Sequence, residues 1–268
     1  MSVAPSISLS PVDWAHHQSE VTKCRGAACY AALAVHFGTD APNSLEWRID
    51  RKKDYEYLGE RSQSNKYRRW RQGTIPKDET VAHVFARSGG SVRLDFWRDL
   101  PLWELLSPAP PAIHRIHRLL EAMPLAIRRN LFMYELPNSL GRYHHSLLER
   151  GQILAIRDIG TLDAFIALLC LARKGEVLEH DPQHFLPSVC AFDIFPRVIS
   201  AHSPLRYRWE DLFTCLDRVF WRRDYSTGMR FSFSIERSRA ALNLLLNGAD
   251  AEIPYMSGHV LRAPKGSP

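Results

Sequence analysis

Apolar positions recur mostly at helical spacing along this chain, and strand-like alternation is confined to two short stretches. Ser19 can cap a first helix that runs to about Phe37, with Gly38 just past its end, and the residues before it read as a loose arm. That helix is rich in alanine (Ala27, Ala28, Ala31, Ala32, Ala34). Small side chains let a neighbouring element approach closely, which marks it as a packed scaffold helix. Ser44 can cap a second helix from Leu45. The pattern predicts a third over Asn65–Gln72, ended by Gly73, and a fourth over Lys77–Arg87, opened by Pro76. Ser88, Gly89 and Gly90 then break the chain. In Ser91–Phe96 the residues Val92, Leu94 and Phe96 alternate with Arg93 and Asp95, which predicts a short strand.

From Leu100 onward the pattern is helical with proline punctuation. Pro108, Pro110 and Pro111 form a stiff linker. They divide the chain into a region over 1–107 and a second over 112–268, unless the two fold as one domain. Ile113, Ile116, Leu119 and Leu120 follow at helical spacing. Thr161 can cap a helix reaching Arg173, closed by Gly175. Its residues Phe165, Ile166, Leu168, Leu169 and Leu171 are apolar nearly all round, as in a central buried helix. Asp211–Arg222 and Glu236–Leu246 read as amphipathic helices, Met229–Ile235 as a second strand, and the tail after Ala249 as irregular. The expected fold class is therefore mainly α: irregular helical domains with one or two short minor strands.

Composition narrows the function classes. An apolar fraction of 45 % in 268 residues can bury a core without a disulfide or metal staple. The cysteines are Cys24, Cys29, Cys170, Cys190 and Cys215, and their irregular spacing fits neither a disulfide framework nor structural zinc. Reduced thiols, and hence a cytoplasmic location, are the expectation. Met1–Pro11 lacks the basic and apolar parts of a secretory leader. The longest apolar run, Ala164–Ala172, is too short to cross a bilayer core of about 30 Å, so no membrane partner is expected. His144 and His145 are adjacent and would diverge by about 100° on a helix, a poor start for chelation. No metal and no cofactor are expected. The chain has no G-x-S-x-G elbow, no P-loop and no G-x-G-x-x-G, so no catalytic residue is assigned.

The formal charge of +6 favours polyanionic partners, and one segment concentrates it. Residues 64–90 read SNKYRRWRQGTIPKDETVAHVFARSGG: a short basic helix, a glycine stop, a proline restart and an amphipathic helix. Tyr67 and Trp70 lie three apart and share a face. Burying them against Val81, Val84 and Phe85 leaves the arginines in solvent. The string Trp70-Arg71-Gln72-Gly73-Thr74-Ile75-Pro76 resembles the turn after the recognition helix in Cro-type helix-turn-helix repressors, with the proline one place early. The resemblance covers residues 64–90 only, and Trp70 lies farther from Leu58-Gly59 than the family pattern places it. It implies that the helix before Trp70 faces DNA.

The candidate contact residues are Asn65, Lys66, Arg68, Arg69 and Arg71, with Arg115, Arg118, Arg128 and Arg129 as a possible extension of the basic face. The first expectation is a bacterial nucleic-acid-binding accessory or regulatory protein, on DNA rather than RNA. The alternatives are a helical scaffold or interaction protein that binds another protein, and an enzyme of unrecognised class.

Overall fold

The computed structural model describes residues 11–50, 65–132, 137, 141, 143–223, 225, 229–248 and 259–262. Within them the chain is mainly α. The N-terminal helices are α1 (Pro11–Phe37), α2 (Pro42–Asp50), α3 (Lys66–Arg71), α4 (Asp78–Arg87), α5 (Leu94–Arg98) and α6 (Pro101–Leu105). There follow α7 (Ile113–Glu121), α8 (Leu125–Leu131), α9 (Arg150–Ile159), α10 (Leu162–Val177) and α11 (Asp181–Ala201). Last come α12 (Ser203–Arg206), α13 (Trp209–Leu216) with a π-turn over Asp217–Trp221, and α14 (Ile235–Leu246). Strands β1 (Met229–Ser232) and β2 (His259–Arg262) pair antiparallel, Met229 opposite Arg262. No described helix is long and apolar enough to cross a membrane.

The chain divides into two compact units. One comprises Ala15–Trp103 with His202–Leu212, and the other Met1–Trp14, Glu104–Ala201 and Phe213–Pro268. The division falls at Trp103/Glu104, ahead of the proline linker.

In the first unit, Cys29, Tyr30 and Leu33 of α1 share one core with Leu45 and Ile49 of α2. Tyr67 and Trp70 of α3, Val81 and Val84 of α4, and Val92 and Leu94 complete it. Trp70 is 4 % exposed, and its ring meets Tyr67 edge-on at 5.2 Å. The closest approach is backbone on backbone. A Cβ on Gly26 of α1 would lie 2.3 Å from the Gly73 carbonyl oxygen. A Cβ on Gly73, whose φ is +108°, would lie 2.3 Å from the Lys23 Cα. No side chain fits at either position, so the turn that ends α3 is seated directly on α1. Gly38, in the left-handed region, ends α1 through Gly38 N–Val35 O and Thr39 N–Ala34 O bonds, as its position in the sequence predicts.

In the second unit α10 is the buried centre, as its apolar composition predicts, and Thr161 caps it by accepting from Ala164 N at 3.2 Å. It packs on α11 at Gly175, where a Cβ would lie 2.4 Å from His184 N. That contact explains the glycine, and α10 continues through it to Val177 rather than ending there. The charged end of α10 is also buried. Arg173, 1 % exposed, donates to the carbonyls of Leu105 and Ser107 and pairs with Glu176 at 2.7 Å. In the same unit Phe192, Phe195, Phe213, Trp221 and Phe233 form an aromatic cluster, with Phe192 and Phe233 centroids 4.3 Å apart.

Several expectations are corrected. Ser91–Phe96 forms no strand. Among the described residues no strand lies beside it to share a ladder. Val92 and Leu94 enter the core, Arg93 pairs with Asp95, and the chain coils into α5 with Phe96 exposed. Phe85 does not pack on Trp70; it is 44 % exposed and lies over Gly90 instead. Helix α1 starts at Pro11 and α2 at Pro42, upstream of the expected serine caps, because proline suits a first turn. Helix α11 retains helical geometry through Pro187 and Pro196, which hid it in the sequence. The tail supplies β2; its other residues after Gly248 lie outside the described set.

Two expected outcomes follow from this packing. Gly26→Ala and Gly73→Ala each destabilise by at least about 2 kcal/mol, because backbone cannot yield as a side chain does. Gly151→Ala, where the added Cβ meets nothing, leaves stability unchanged or raises it by up to about 1 kcal/mol. Urea unfolding of the three variants measures both. The second outcome concerns pH. Burial, reinforced by Arg223 and Arg173, pushes the His184 pKa down to about 3. Burial, with His145 and Lys174, pushes His117 down to about 4. The unfolded chain therefore binds more protons below its ordinary imidazole value of about 6.5. This stability is fully present above that pH and is lost as pH falls through 6.5 toward 4. The melting temperature drops between pH 7 and pH 4.5 at constant ionic strength; a flat profile would contradict it.

Candidate nucleic-acid interface

The basic segment folds as α3, a turn over Gln72–Lys77, and α4. Helix α3 has only six residues, and the alternation of Tyr67 and Trp70 with cations decides its faces. The two rings go into the core, and Arg68, Arg69 and Arg71 go to solvent. Asn65 stands exposed at the N-cap with φ 27°, in the left-handed region that asparagine tolerates better than most residues.

Lys66 has a different role. Its Nζ donates to both oxygens of the Asp50 carboxylate, at 2.9 and 3.1 Å, and sits over the Tyr67 ring at 4.6 Å. Asp50 also accepts from the Tyr67 hydroxyl at 3.4 Å and lies 3.2 Å from His83 Nε2. One largely buried carboxylate thus joins the end of α2 to α3 and α4, and Lys66 is committed to it.

Arg68 and Arg71 line a cleft of about 680 Å³ in the same unit. One wall is the start of α2, with Asn43 and Glu46. The second is α3, with Asn65, Arg68, Arg71 and Gln72. The third is Tyr207 and Arg208, where α12 leads to α13. The Arg71 Nε donates to the Tyr207 hydroxyl at 2.9 Å, and Nη2 lies 3.5 Å from Asp40. That hydrogen bond, reinforced by the charge of Asp40, raises the Arg71 pKa further and fixes the guanidinium in place. Arg208 pairs with Asp211 at 3.2 Å. Among the described residues, neither Arg68 nor Arg69 makes a side-chain ion pair or hydrogen bond. A cleft with three arginines, three side-chain amides and one buried carboxylate is suited chemically to an anion that also offers hydrogen-bonding groups.

The structure therefore gathers Asn65, Arg68 and Arg71 around one cleft, leaves Arg69 exposed outside it, and ties Lys66 to Asp50. In the second unit Arg115 is held by Glu104, Nη2 to Oε2 at 2.7 Å. His117 and His145 stack there at 3.7 Å with planes 7° apart, and His145 Nε2 lies 2.7 Å from Glu121. Among the described residues no group of three His, Cys, Asp or Glu is placed to hold a metal ion. All five cysteines are buried and none is in a disulfide, and burial pushes Cys29 and Cys190 up to about 12.

Sequence reasoning missed Asn43, Tyr207 and Arg208. Only the triplet Arg206-Tyr207-Arg208 carried a signal, a ring between cations like that at Trp70. Comparison with protein-family models, with curated proteins and with solved structures gave no match.

The roles of the cations separate in stability measurements. Lys66→Met leaves the Asp50 carboxylate without its principal partner and costs about 1–3 kcal/mol. Arg68→Ala and Arg69→Ala stay within about 0.5 kcal/mol of wild type. Denaturant midpoints check all three, and a Lys66→Met protein as stable as wild type would show that Asp50 does not depend on it.

Proposed function

We propose that this chain is a nucleic-acid-binding accessory or regulatory protein that holds the phosphate backbone through α3 and its cleft. The observation that carries this reading is the pair Arg68 and Arg71 at one cleft, the first without an ion-pair partner among the described residues and the second oriented by Tyr207. A fixed guanidinium offers two parallel donors to a phosphate, and an unpaired one gains most from an anion because it gives up no existing ion pair. The chain's net charge of +6 favours the encounter. The local resemblance of residues 64–90 to a helix-turn-helix points to the same segment, and buried thiols support a reducing compartment such as the cytoplasm.

A second reading, a helical scaffold, is favoured by one observation. Many arginines are neutralised within the chain: Arg93 by Asp95, Arg98 by Asp78 and Asp99, Arg115 by Glu104, and Arg157 by Asp158. Cations used in this way keep a surface soluble and contribute little to a phosphate contact.

A salt titration separates the two readings. Wild type binds nucleic acid with an affinity that falls as salt rises. Arg68→Ala/Arg71→Ala binds more weakly, and its slope of log affinity against log salt is flatter by about 1 per lost contact. Circular dichroism confirms that the variant is folded. If wild type binds neither duplex nor single-stranded nucleic acid at low salt, the scaffold reading replaces this one.

A further inference from the structure

Trp47 lies in α2 and is 64 % exposed, although its neighbours Leu45, Glu46 and Ile49 are buried. Leaving a ring of that size in water forfeits hydrophobic stabilisation that the same helix gains elsewhere. Its position is informative. Trp47 is four residues, one helical turn, after Asn43, which lines the arginine cleft. It also follows Glu46, another lining residue. Helical spacing therefore puts Trp47 on the side of α2 that carries Asn43, and α3 with Arg68 and Arg71 forms another wall of the same cleft.

We infer that the cleft takes a single-stranded nucleic acid, with Trp47 stacking on one base while Arg68 and Arg71 hold the phosphates. The inference rests on the phosphate-binding reading above and specifies its ligand. In a duplex each base face is covered by its neighbours, and only base edges are open to a protein. An exposed indole beside a cation-lined groove has nothing to stack on there. In a single strand the base faces are open, and an aromatic platform next to arginines engages base and backbone together. The cleft is concave, which suits an extruded nucleotide, and α3 is buried along its Tyr67–Trp70 face, which suits a wall rather than a protruding reading head. Asn43, Asn65 and Gln72 bring amides that can meet the edges of a splayed base.

The test uses the full chain and fluorescence anisotropy with three labelled probes: a short oligothymidylate, an abasic deoxyribose-phosphate strand of equal length, and a duplex. Wild type binds oligothymidylate about tenfold more tightly than the abasic strand, and more tightly than the duplex. Trp47→Ala removes the preference for bases and leaves abasic-strand affinity unchanged, whereas Trp47→Phe retains part of it. The exposure of Trp47 makes both variants compatible with the fold, and a thermal melt verifies this. Equal binding of the two strands by wild type overturns the inference but leaves the phosphate reading standing. So does a preference that survives in Trp47→Ala. Tighter binding of the duplex overturns it in favour of groove contact. Self-association that depends on Trp47, with no effect of Trp47→Ala on oligothymidylate, overturns it in favour of a protein interface. Absence of binding to every probe overturns the phosphate reading and this inference together.

Discussion

Backbone rests on backbone where Gly26 of α1 lies against Gly73 at the end of α3, and the placement of the basic helix depends on that contact. A side chain at either position would collide with main-chain atoms, which cannot rotate away. The approach fixes where α3 ends, and the period of the helix then fixes which residues point inward. Tyr67 and Trp70 fill the core that α1, α2 and α4 share, and Arg68, Arg69 and Arg71 are left on the outside. The alanines of α1 belong to the same device, since Ala27, Ala28 and Ala31 are buried without holding the neighbouring chain away. The charge of α3 is thus presented by packing, and the helix is too short to be stable without it.

With α3 seated, the cations take separate roles according to the carboxylates within reach. Lys66 meets Asp50 and becomes part of the joint between α2, α3 and α4. Arg71 meets Tyr207 and Asp40, so its orientation is set before any ligand arrives. Arg68 meets no carboxylate among the described residues. A charge count along the sequence gives these three residues equal weight, yet desolvation and partner geometry make one a structural element, one an oriented donor and one an open positive charge. Trp47 is the apolar counterpart: a large ring left outside the core that encloses Tyr30, Tyr67 and Trp70.

The second unit obeys a similar rule with different chemistry. Gly175 lets α10 and α11 approach closely, and Arg173 is buried among backbone carbonyls and Glu176 rather than displayed. A guanidinium in that setting satisfies the ends of neighbouring segments, and its cost of burial is offset by hydrogen bonds to fixed acceptors. His184 is kept neutral beside Tyr225 by the same enclosure. This interior encloses a guanidinium and an imidazole, whereas in the first unit cations and a tryptophan remain on the surface.

The sequence by itself determined the mainly helical class, the buried centre at α10, the capping by Thr161, the left-handed stop at Gly38, and the inward turn of Tyr67 and Trp70. Each follows from local spacing or from the preference of one residue type, which neighbours in the chain suffice to express. It misread Ser91–Phe96, because alternation makes a strand only when a partner strand exists to receive its hydrogen bonds. It missed α11, because Pro187 and Pro196 carry a local signal against helix that the packing of α10 on α11 outweighs. It also placed Phe85 against Trp70 from helical facing alone. Only the tertiary structure decided that Lys66 belongs to Asp50 and that Tyr207 and Arg208, far along the chain, join Arg68 and Arg71 at one cleft. Those pairings depend on distances between segments remote in sequence. No periodicity records such distances; they are set when the cores close.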